Sequence, residues 1–338
     1  MAIEKYFTYN EIKFQTEAWE QAIELIKDAR LPDAGQIDQV IFSGCGSTYY
    51  LSLAAASLFQ ELSGIPAKAA PASELLFNHK TILTKQNTLL VAISRSGTTT
   101  ETIKAVDHFK TIGKGEIITI SNYEEVLSNL GDYNIIIPKG QEKSVAQTRS
   151  FASMYITVVG LAARLAKRKD LLESMTSLPD IGDRLIRDHE KMSQKLGENL
   201  DYDRFYFLGS GIRYGLACEV NLKMKEMTLT HSEPFHFLEF RHGPMSMVNK
   251  NALIIGLVSE KNLKHEQAVL AEMKALGGNV VSFGESNVDI PFGSGLPEPV
   301  RGVLYLPLLQ LMAFYRSIAK NNNPDRPKNL EAVVKLDI

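Results

Sequence analysis

The segment from Ser94 to Thr100 combines five hydroxyl side chains with one glycine, between a strand-like run, LLVAI, and a helix-like run that begins near Glu101. Backbone amides at a helix start, together with hydroxyl groups, form a favourable site for a phosphate group. A helix cap needs only one hydroxyl, so the cluster favours an anion site over a simple cap. In the later half of the chain the matching segment, Val258 to Asn262, lacks this cluster. The sequence therefore predicts one phosphate site per chain.

Three ionisable residues, Glu219, Lys223 and Glu226, follow one another at positions i, i+4 and i+7. On a helix this spacing places all three on one face, where a solvated ion pair would contribute ~0.2–0.5 kcal/mol. The helix also follows a glycine turn at the end of a strand-like run, which is where open α/β sheets gather their ligands. A carboxylate in this position is a candidate general base, and the solvated ion pair remains the open alternative.

A short loop from Glu239 to Pro244 contains an acid, Arg241 and His242, and His236 lies just before it. Loops on a rigid scaffold often carry functional residues, and histidine is the side chain that titrates near neutral pH. A single histidine can equally be structural. The loop is therefore a candidate acid–base site, with the structural alternative left open.

The turn from Gly44 to Thr48 has two glycines in the manner of a dinucleotide fingerprint, but it lacks the third glycine and an acidic residue closing the next strand. The two cysteines, Cys45 and Cys218, are too few for a disulfide framework and wrongly spaced for a zinc site. We therefore expect reduced, structural thiols, no nucleotide, no cofactor and no metal.

Strand-like and helix-like runs alternate along the chain in the order typical of βαβ units. The runs QVIFSGCGS and NTLLVAISRSG return after residue 203 as DRFYFLGSG and NALIIGLVSE, which indicates that one unit has been duplicated. We expect an α/β fold of two similar three-layer α/β/α units with mainly parallel sheets. The predicted segments are an N-terminal helical segment (1–36), a first α/β unit (37–165), a helical connection (166–200), a second α/β unit (201–320) and a C-terminal tail (321–338).

The 37 Lys and Arg residues nearly balance the 39 Asp and Glu residues, so the chain has no general attraction for nucleic acid or an anionic membrane. The N-terminus has no basic start followed by an apolar stretch, and no run reaches the ~18 unbroken apolar residues of a membrane helix. We therefore expect a cytoplasmic protein with no nucleic-acid or membrane partner.

Six motifs together resemble the tandem SIS (sugar isomerase) domain family, in particular the isomerase portion of glucosamine-6-phosphate synthase and the related amino-sugar-phosphate deaminases and deglycases. The resemblance covers nearly the whole chain, and the motifs occur in the family's order. The motifs are CGST (45–48), SRSGTT (94–99), VAQTRSF (145–151), the Glu219/Lys223/Glu226 helix, EFRHGP (239–244) and NPDRPKNL (323–330).

The resemblance implies a 6-phosphorylated sugar as ligand and a role for each matched position. The implied substrate-binding positions are Ser47, Ser94, Ser96 and Thr99 for the phosphate, Thr48 and the backbone near Val145 and Gln147 for the sugar chain, and Arg95 and Glu219. The implied catalytic positions are Glu226 as the proton-shuttling base, Lys223 beside it, and His242 for opening the sugar ring. In the family this histidine reaches the site from a neighbouring subunit, so a homodimer is the smallest expected assembly.

Two departures from the synthase bear on the reaction. The synthase carries an N-terminal glutaminase domain, whereas this chain begins MAIE and enters a helix-like segment almost at once, so we expect no ammonia source within it. The synthase also has a Schiff-base lysine five residues after the proline that matches Pro327. This chain has Ala332 there and Lys335 three residues later, which argues against covalent capture of a ketose and leaves the role of Lys335 open.

These observations predict hydrolytic deamination and isomerisation of an aldosamine 6-phosphate, such as glucosamine 6-phosphate, to fructose 6-phosphate and ammonia. The nearest rival function is that of a deglycase, which splits a fructosamine 6-phosphate. It would need a cation for the carboxylate of the amino acid, and Arg95, Arg149 and Arg241 are candidates. Aldose–ketose isomerisation and non-catalytic phosphosugar sensing also remain open, although the intact Glu226 and His242 count against the sensor.

Overall fold

The computed structural model describes residues 3–333 and residue 336. It divides into two compact units that are interleaved along the chain. The first unit contains residues 14–142, 149–179 and the described residues after 330, and the second contains the described residues up to 13, residues 143–148 and residues 180–330. Each unit holds one five-stranded sheet with helices around it, so the predicted α/β fold with two parallel sheets is confirmed. The finer segment boundaries remain a prediction.

All pairings between neighbouring strands in both sheets are parallel, and the orders are β2-β1-β3-β4-β5 and β10-β9-β8-β6-β7. The central strands are buried along their whole length, as expected for a parallel sheet covered on both faces. The strands are β1 (Gln39–Gly44), β2 (Ala67–Pro71), β3 (Thr88–Ser94), β4 (Ile117–Ser121), β5 (Tyr133–Ile136), β6 (Arg204–Leu208), β7 (His231–Phe235), β8 (Ala252–Leu257), β9 (Asn279–Gly284) and β10 (Ile290–Pro291).

The helices follow the strands in the βαβ order that the sequence predicted. The α-helices are α1 (Phe7–Lys13), α2 (Thr16–Asp28), α3 (Ser47–Ser63), α4 (Ala72–Phe77), α5 (Thr100–Ile112), α6 (Arg149–Leu165), α7 (Lys169–Ser174), α8 (Leu178–Glu198), α9 (Ile212–Thr228), α10 (Leu263–Ala275), α11 (Glu298–Arg301) and α12 (Tyr305–Ala319).

Each sheet has its own apolar core. In the first unit, Ile41 and Leu90 of the sheet pack with Val106 and Phe109 of α5. In the second unit, Leu208 and Ile254 of the sheet pack with residues of α10, among them Met273. Because each core is made within one unit, the strand ends of each sheet are held in place by local packing.

The stretch Glu298–Ala319 is the one part of the described chain long and apolar enough to cross a membrane by length and composition. About nine-tenths of its most apolar window is buried inside the protein (89%). The same stretch contains α12, whose residues are mostly fully buried. Its hydrophobicity is therefore that of a core helix.

The second unit also contains a polar cluster around Glu190 of α8. Tyr9 and Tyr315 both donate hydrogen bonds to Glu190 Oε1 at 2.7 Å, and Lys13 pairs with Oε2 at 2.5 Å. Burial alone would raise the pKa of Glu190, but the hydrogen bonds from Lys13, Tyr315 and Tyr9 lower it below its ordinary value. The cluster ties α1, α8 and α12 together.

Candidate functional site

The hydroxyl-rich loop of the first unit lies where strand order reverses in its sheet. The chain passes from β1 to β2 on one side and then continues with β3 on the other side of β1. Ligands of open α/β sheets bind at this point, outside the carboxyl ends of the strands. The turn after β1 leads into α3 at Ser47, and the loop after β3 leads into α5 at Thr100. The predicted phosphate residues of both turns are therefore at one edge of one sheet.

The hydroxyl groups after β3 face one another across a tight turn. Ser94 Oγ lies 3.2 Å from Thr99 Oγ1 and accepts a hydrogen bond from the Gly97 amide at 3.2 Å. Ser96 Oγ accepts two hydrogen bonds from Thr98, one from its amide and one from its hydroxyl, each at 3.1 Å. Gly97 has φ = 68°, in the left-handed region that a side chain disfavours. The turn therefore depends on this glycine.

Thr99 occupies the N-cap position of α5, but its side chain makes no capping hydrogen bond. A threonine at this position ordinarily accepts from an amide of the first turn. Here the hydroxyl is directed to Ser94 instead, and the turn remains partly exposed at Ser96, Thr98 and Thr99. The simple-cap interpretation therefore does not describe Thr99, and anion binding at the start of α5 remains a prediction.

The turn after β1 is built by Thr48 and two glycines. Thr48 Oγ1 accepts from the Cys45 amide and donates to the Cys45 carbonyl, both at 2.9 Å. A side chain at Gly44 would clash with Thr48, and Gly46 has φ = 56°. The Thr48 hydroxyl is thus engaged in holding the turn, while Ser47 forms the first residue of α3. The contacts of both residues with a sugar remain a prediction.

Arg95 is directed away from the hydroxyl groups beside it. Its side chain is buried, its guanidinium lies 3.6 Å from the Glu142 carboxylate, and it donates to the Ala332 carbonyl at 2.9 Å. Glu142 also accepts from the amide and the hydroxyl of Ser150, at 3.1 and 2.5 Å. No sequence pattern pointed to Glu142, because a lone acid 47 positions from Arg95 carries no local signal. In the folded chain Arg95 ties the loop to its own unit.

The acid–base residues of the second unit lie on α9, which follows β6 through a matching glycine turn. Gly211 has φ = 58°, close to the 56° of Gly46 in the first unit, as expected for a duplicated unit. Lys223 is fully buried, and its Nζ lies 3.4 Å from Glu219 Oε1 and forms a direct ion pair with Glu226. The solvated-pair interpretation is therefore wrong for this helix.

Exposure distinguishes the two carboxylates of this group. The Glu219 side chain is 0% exposed, whereas the Glu226 side chain is 18% exposed. Only Glu226 can thus reach a ligand from solvent without a rearrangement of α9. Lys223 restrains the Glu226 carboxylate through a buried charge-assisted contact, which is stronger and more directional than a surface pair.

The loop after β7 carries the predicted histidines. Phe240 is fully buried and packs 5.0 Å from the Tyr206 ring and 5.3 Å from the Phe235 ring, which anchors the loop. His242 is exposed, its side chain makes no hydrogen bond within the described residues, and it precedes Gly243 with φ = 123°. An exposed imidazole on an anchored loop is available to act on a ligand or a second subunit.

Two more residues of this loop are already engaged. His236 stacks on Tyr214, with ring centroids 3.9 Å apart and an angle of 17° between the rings. Partial desolvation lowers the pKa of His236, with Glu239 opposing the shift, so the imidazole is neutral near pH 7. Arg241 forms a bidentate pair with Glu272 at 2.6 and 2.7 Å. His236 is therefore an aromatic partner of α9.

The backbone near Val145 and Gln147, which is predicted to contact the sugar, lies in a segment (143–148) held by Glu11 and Asp325 of the same unit. Glu11 of α1 accepts from the amides of Lys143 and Ser144 and from the Ser144 hydroxyl. The Val145 amide donates to the Asp325 carbonyl at 2.9 Å. The Asp325 carboxylate in turn accepts from the amides at the start of α1. Sequence reasoning missed these contacts, because they join three segments far apart in the chain.

The remaining sequence predictions for this region are partly outside the described residues. Gln147 lies in the fixed segment with its side-chain oxygen buried, and Lys335 lies outside the described residues.

Burial raises the pKa of the two thiols, Cys45 and Cys218, to about 11 for Cys218, so neither is a nucleophile near neutral pH. Among residues 3–333 and 336, no group of three His, Cys, Asp or Glu side chains is placed to hold a metal ion.

Comparison with known proteins identifies the family. The profile described as "SIS domain" matches residues 36–164 and 200–289. The glutamine–fructose-6-phosphate aminotransferase (isomerizing) of Pyrococcus horikoshii is 27% identical, covering 98% of this chain and 58% of its own length. The corresponding protein of Sulfurisphaera tokodaii is 30% identical, covering 94% of this chain and 52% of its own length. The chain thus spans little more than half the length of these curated relatives.

Solved structures give the same fold. The crystal structure of glucosamine-6-phosphate deaminase from Thermotoga maritima has a TM-score of 0.83 and 28% identity, covering 97% of this chain and 99% of that chain. Tagatose-6-phosphate ketose/aldose isomerase from Escherichia coli also has a TM-score of 0.83, at 20% identity, covering 98% of this chain and 97% of that chain. At that identity the second likeness concerns the fold alone.

Proposed function

We propose that this chain, which belongs to the SIS domain family, deaminates and isomerises an aldosamine 6-phosphate such as glucosamine 6-phosphate. Its relatives are phosphosugar isomerase-type proteins, and family membership supports a sugar-phosphate ligand. The observation that carries the proposal is the buried Glu219–Lys223–Glu226 group, in which only Glu226 is accessible to a ligand. The likeness to a glucosamine-6-phosphate deaminase over almost the whole of both chains supports this substrate.

In this mechanism the hydroxyl loop after β3 has the role of binding the phosphate, and α9 carries the proposed base. The hydroxyls of Ser94, Ser96 and Thr99 and the amides that begin α5 bind the phosphate group. Thr48 maintains the neighbouring turn that presents Ser47. The matching loop of the second unit has a single hydroxyl, Ser259, beside Glu260, so it lacks the hydroxyl cluster of the first unit.

The reaction consumes one water and releases one ammonia for each fructose 6-phosphate formed. His242 assists opening of the sugar ring to the free aldehyde. Glu226 removes the proton at C2 and returns a proton to C1, while the aldehyde oxygen gains a proton and the nitrogen loses one, so the amino aldehyde becomes a 2-imine with a hydroxyl at C1. Water then adds to that imine and ammonia leaves, giving the ketose. A positioned general base of this kind typically accelerates a step by ~10²–10⁴-fold.

Lys223 keeps Glu226 in place during both proton transfers. The two groups form a direct ion pair, and Glu219 contacts the other side of the ammonium at 3.4 Å. A base that moves a proton between adjacent carbons has to approach both, so its position matters as much as its basicity. Lys223 is therefore a positioning residue, and Glu226 is the catalytic one.

We also propose that His242 acts on the substrate of a neighbouring subunit, so that the working enzyme is a homodimer. His242 is exposed and its side chain has no hydrogen-bond partner among the described residues, which fits a group that completes a site elsewhere. The proposal rests otherwise on the family resemblance of the EFRHGP motif.

The contacts of the three candidate arginines support a deglycase less well than a deaminase. It requires a cation for the amino acid carboxylate, and all three candidates already have partners. Arg95 lies against Glu142, Arg241 is held by Glu272, and Arg149 donates to the Gln141 carbonyl. A deglycase that used Arg95 or Arg241 would have to compete with a carboxylate, whereas Arg149 contacts only a neutral carbonyl and keeps further donors. A deaminase does not need the cation.

The experiment is an assay of ammonia and free amino acid on a panel of substrates. The panel contains glucosamine 6-phosphate, its C2 and C4 epimers, unphosphorylated glucosamine, several fructosamine 6-phosphates of amino acids, and tagatose and fructose 6-phosphate, whose sugar-phosphate products are also identified. Ammonia from glucosamine 6-phosphate, with no reaction of the unphosphorylated sugar, would support the proposal. Free amino acid without ammonia would establish the deglycase, and conversion of tagatose or fructose 6-phosphate without ammonia would establish a simple isomerase.

A further inference from the structure

The second sheet has its own point of strand-order reversal, and charged side chains fill it. The chain passes from β6 to β7 on one side and resumes with β8 on the other side of β6. This is where an open α/β sheet binds its ligand, and it is the counterpart of the hydroxyl loop in the first unit. Instead of a hydroxyl cluster, the second unit places Arg213 of α9 and Arg301 of α11 near these strand ends. Both are buried, at 5% and 3% exposure.

The Glu298 carboxylate lies between the two guanidinium groups. One oxygen accepts a hydrogen bond from Arg213, and the other lies 3.7 Å from Arg301 and 3.4 Å from the Ser259 hydroxyl. Ser259 follows β8 at the strand end. Two guanidinium groups and a hydroxyl around one pair of oxygens form the arrangement by which proteins bind phosphate and carboxylate ions.

Further acids surround each arginine and explain why the group is buried at tolerable cost. Arg213 also lies 3.5 Å from Glu266, which accepts from the Ser259 amide at 2.7 Å. Arg301 contacts Glu260 at 2.6 Å, and its Nε lies 3.9 Å from Glu285. With Glu298 in place, the group has two positive and four negative side chains. The Glu298 carboxylate occupies the space between the two guanidinium groups, so a free oxyanion cannot enter that space while Glu298 remains there.

We propose that the strand-end crevice of the second unit is an oxyanion site whose resident anion is the chain's own Glu298 carboxylate. Glu298 is the exchangeable member, because it contacts both buried arginines and its side chain is 27% exposed; Glu260 is more exposed, at 52%, but the described contacts pair it with Arg301 alone. Its carboxylate lies at the strand-end position where an open α/β sheet binds its ligand, between two guanidinium groups. The proposal goes beyond the proposed function and does not depend on it.

Two consequences follow from an internal anion in this crevice. The intact protein takes up no oxyanion in this crevice. Removal of the Glu298 carboxylate leaves Arg213 without its closest partner and opens a gap of carboxylate size. A small oxyanion from solution can then fill the gap and restore the lost stability by mass action.

The test compares the melting temperatures of the full chain and of Glu298→Ala in formate, inorganic phosphate and chloride at equal ionic strength. Both proteins also carry Ser96→Ala and Thr99→Ala, so that binding at the proposed phosphate loop does not contribute. The protein with only these two substitutions is called the background protein. We expect formate or phosphate, at ten times its dissociation constant, to raise the melting temperature of Glu298→Ala by about 2–4 °C over chloride, and to leave the background protein unchanged. Glu272→Ala, which removes the surface partner of Arg241, is the matched control and should show no such rescue.

Two results would overturn the proposal. One is a folded Glu298→Ala variant that oxyanions stabilise no more than they stabilise the Glu272→Ala control. The other result does not require a folded Glu298 variant. It is binding of inorganic phosphate to the Ser96→Ala/Thr99→Ala protein in titration calorimetry, where the proposal predicts no binding. Phosphate bound by that protein and lost on Arg213→Met substitution would mean that Glu298 does not occupy the site. Loss of activity in the Ser96→Ala/Thr99→Ala protein is a separate result and concerns only the proposed function.

Discussion

Replacement of Lys223 by methionine would show whether its ion pairs are buried or lie on the surface, because the two cases predict different losses of stability. Lys223 is fully buried between Glu219, which has no exposure, and Glu226, which has 18%. Methionine fills much of the same volume but removes the charge, so two carboxylates are left close together without the ammonium group between them. Breaking a buried pair by removing one partner typically costs ~3–5 kcal/mol, whereas losing a surface pair costs ~0–1 kcal/mol. The structure therefore predicts the larger loss.

The assay is thermal and urea unfolding of Lys223→Met, followed by circular dichroism. A loss of ~3–5 kcal/mol corresponds to a fall of roughly 6–20 °C in the melting temperature of a unit of this size. The matched control is Lys225→Met, two positions along the same helix and exposed, which should shift the melting temperature by little. The double substitution Glu219→Gln/Lys223→Met removes the orphaned buried charge and should recover part of the loss. If Lys223→Met unfolds like Lys225→Met, the ion-pair group is not buried and the reasoning fails.

The other predictions concern the phosphate loop, the Glu190 cluster and the subunit interface. Ser96→Ala/Thr99→Ala should raise KM for phosphorylated substrates with a smaller change in kcat; an unchanged KM would place the phosphate elsewhere. Because the folded-state pKa of Glu190 is depressed, its carboxylate stabilises the fold above its unfolded-state pKa of about 4.3, and this contribution is lost as the pH falls through the folded-state value. The fall in melting temperature caused by Glu190→Gln should therefore be larger at pH 7 than below about pH 4, and an equal fall at both would contradict it. Glu226→Gln and His242→Asn proteins, each inactive alone, should regain part of the activity when their subunits exchange; confirmed exchange without recovery would refute a shared site.

The sequence predicted the repeated βαβ order because its signals are local. Glycine pairs after apolar strands marked both sheet-to-helix turns, and Gly46 and Gly211 indeed have nearly equal positive φ values. The edge strands were not visible in the same way. β7 reads HSEPF, with a proline and no apolar alternation, and it pairs only with β6. A proline is accepted at the edge of a sheet, where its missing amide hydrogen faces no neighbouring strand. The pairing with β6, and not the local sequence, therefore makes this segment a strand.

The sequence predicted which residues form the candidate site, but it did not predict their burial or their contacts. The spacing of Glu219, Lys223 and Glu226 is the same for a solvated face and a buried one, and only the packing of α9 shows which applies. The anchoring of Arg95 by Glu142 depends on residues distant in the chain, and so does the capture of Glu298 by two arginines. No local pattern encodes these contacts.

The central claim is that Glu226 is the base that moves the C2 proton of an aldosamine 6-phosphate. The most direct measurement is the rate of ammonia and fructose 6-phosphate formation from glucosamine 6-phosphate by Glu226→Gln, beside the intact protein and the exposed-surface control Glu20→Gln. The amide keeps the shape of the side chain, so the variant should fold and bind substrate while kcat falls by ~10²–10⁴-fold, and Glu20→Gln should match the intact protein. A folded Glu226→Gln protein that still releases ammonia within a few-fold of the intact rate would contradict the claim.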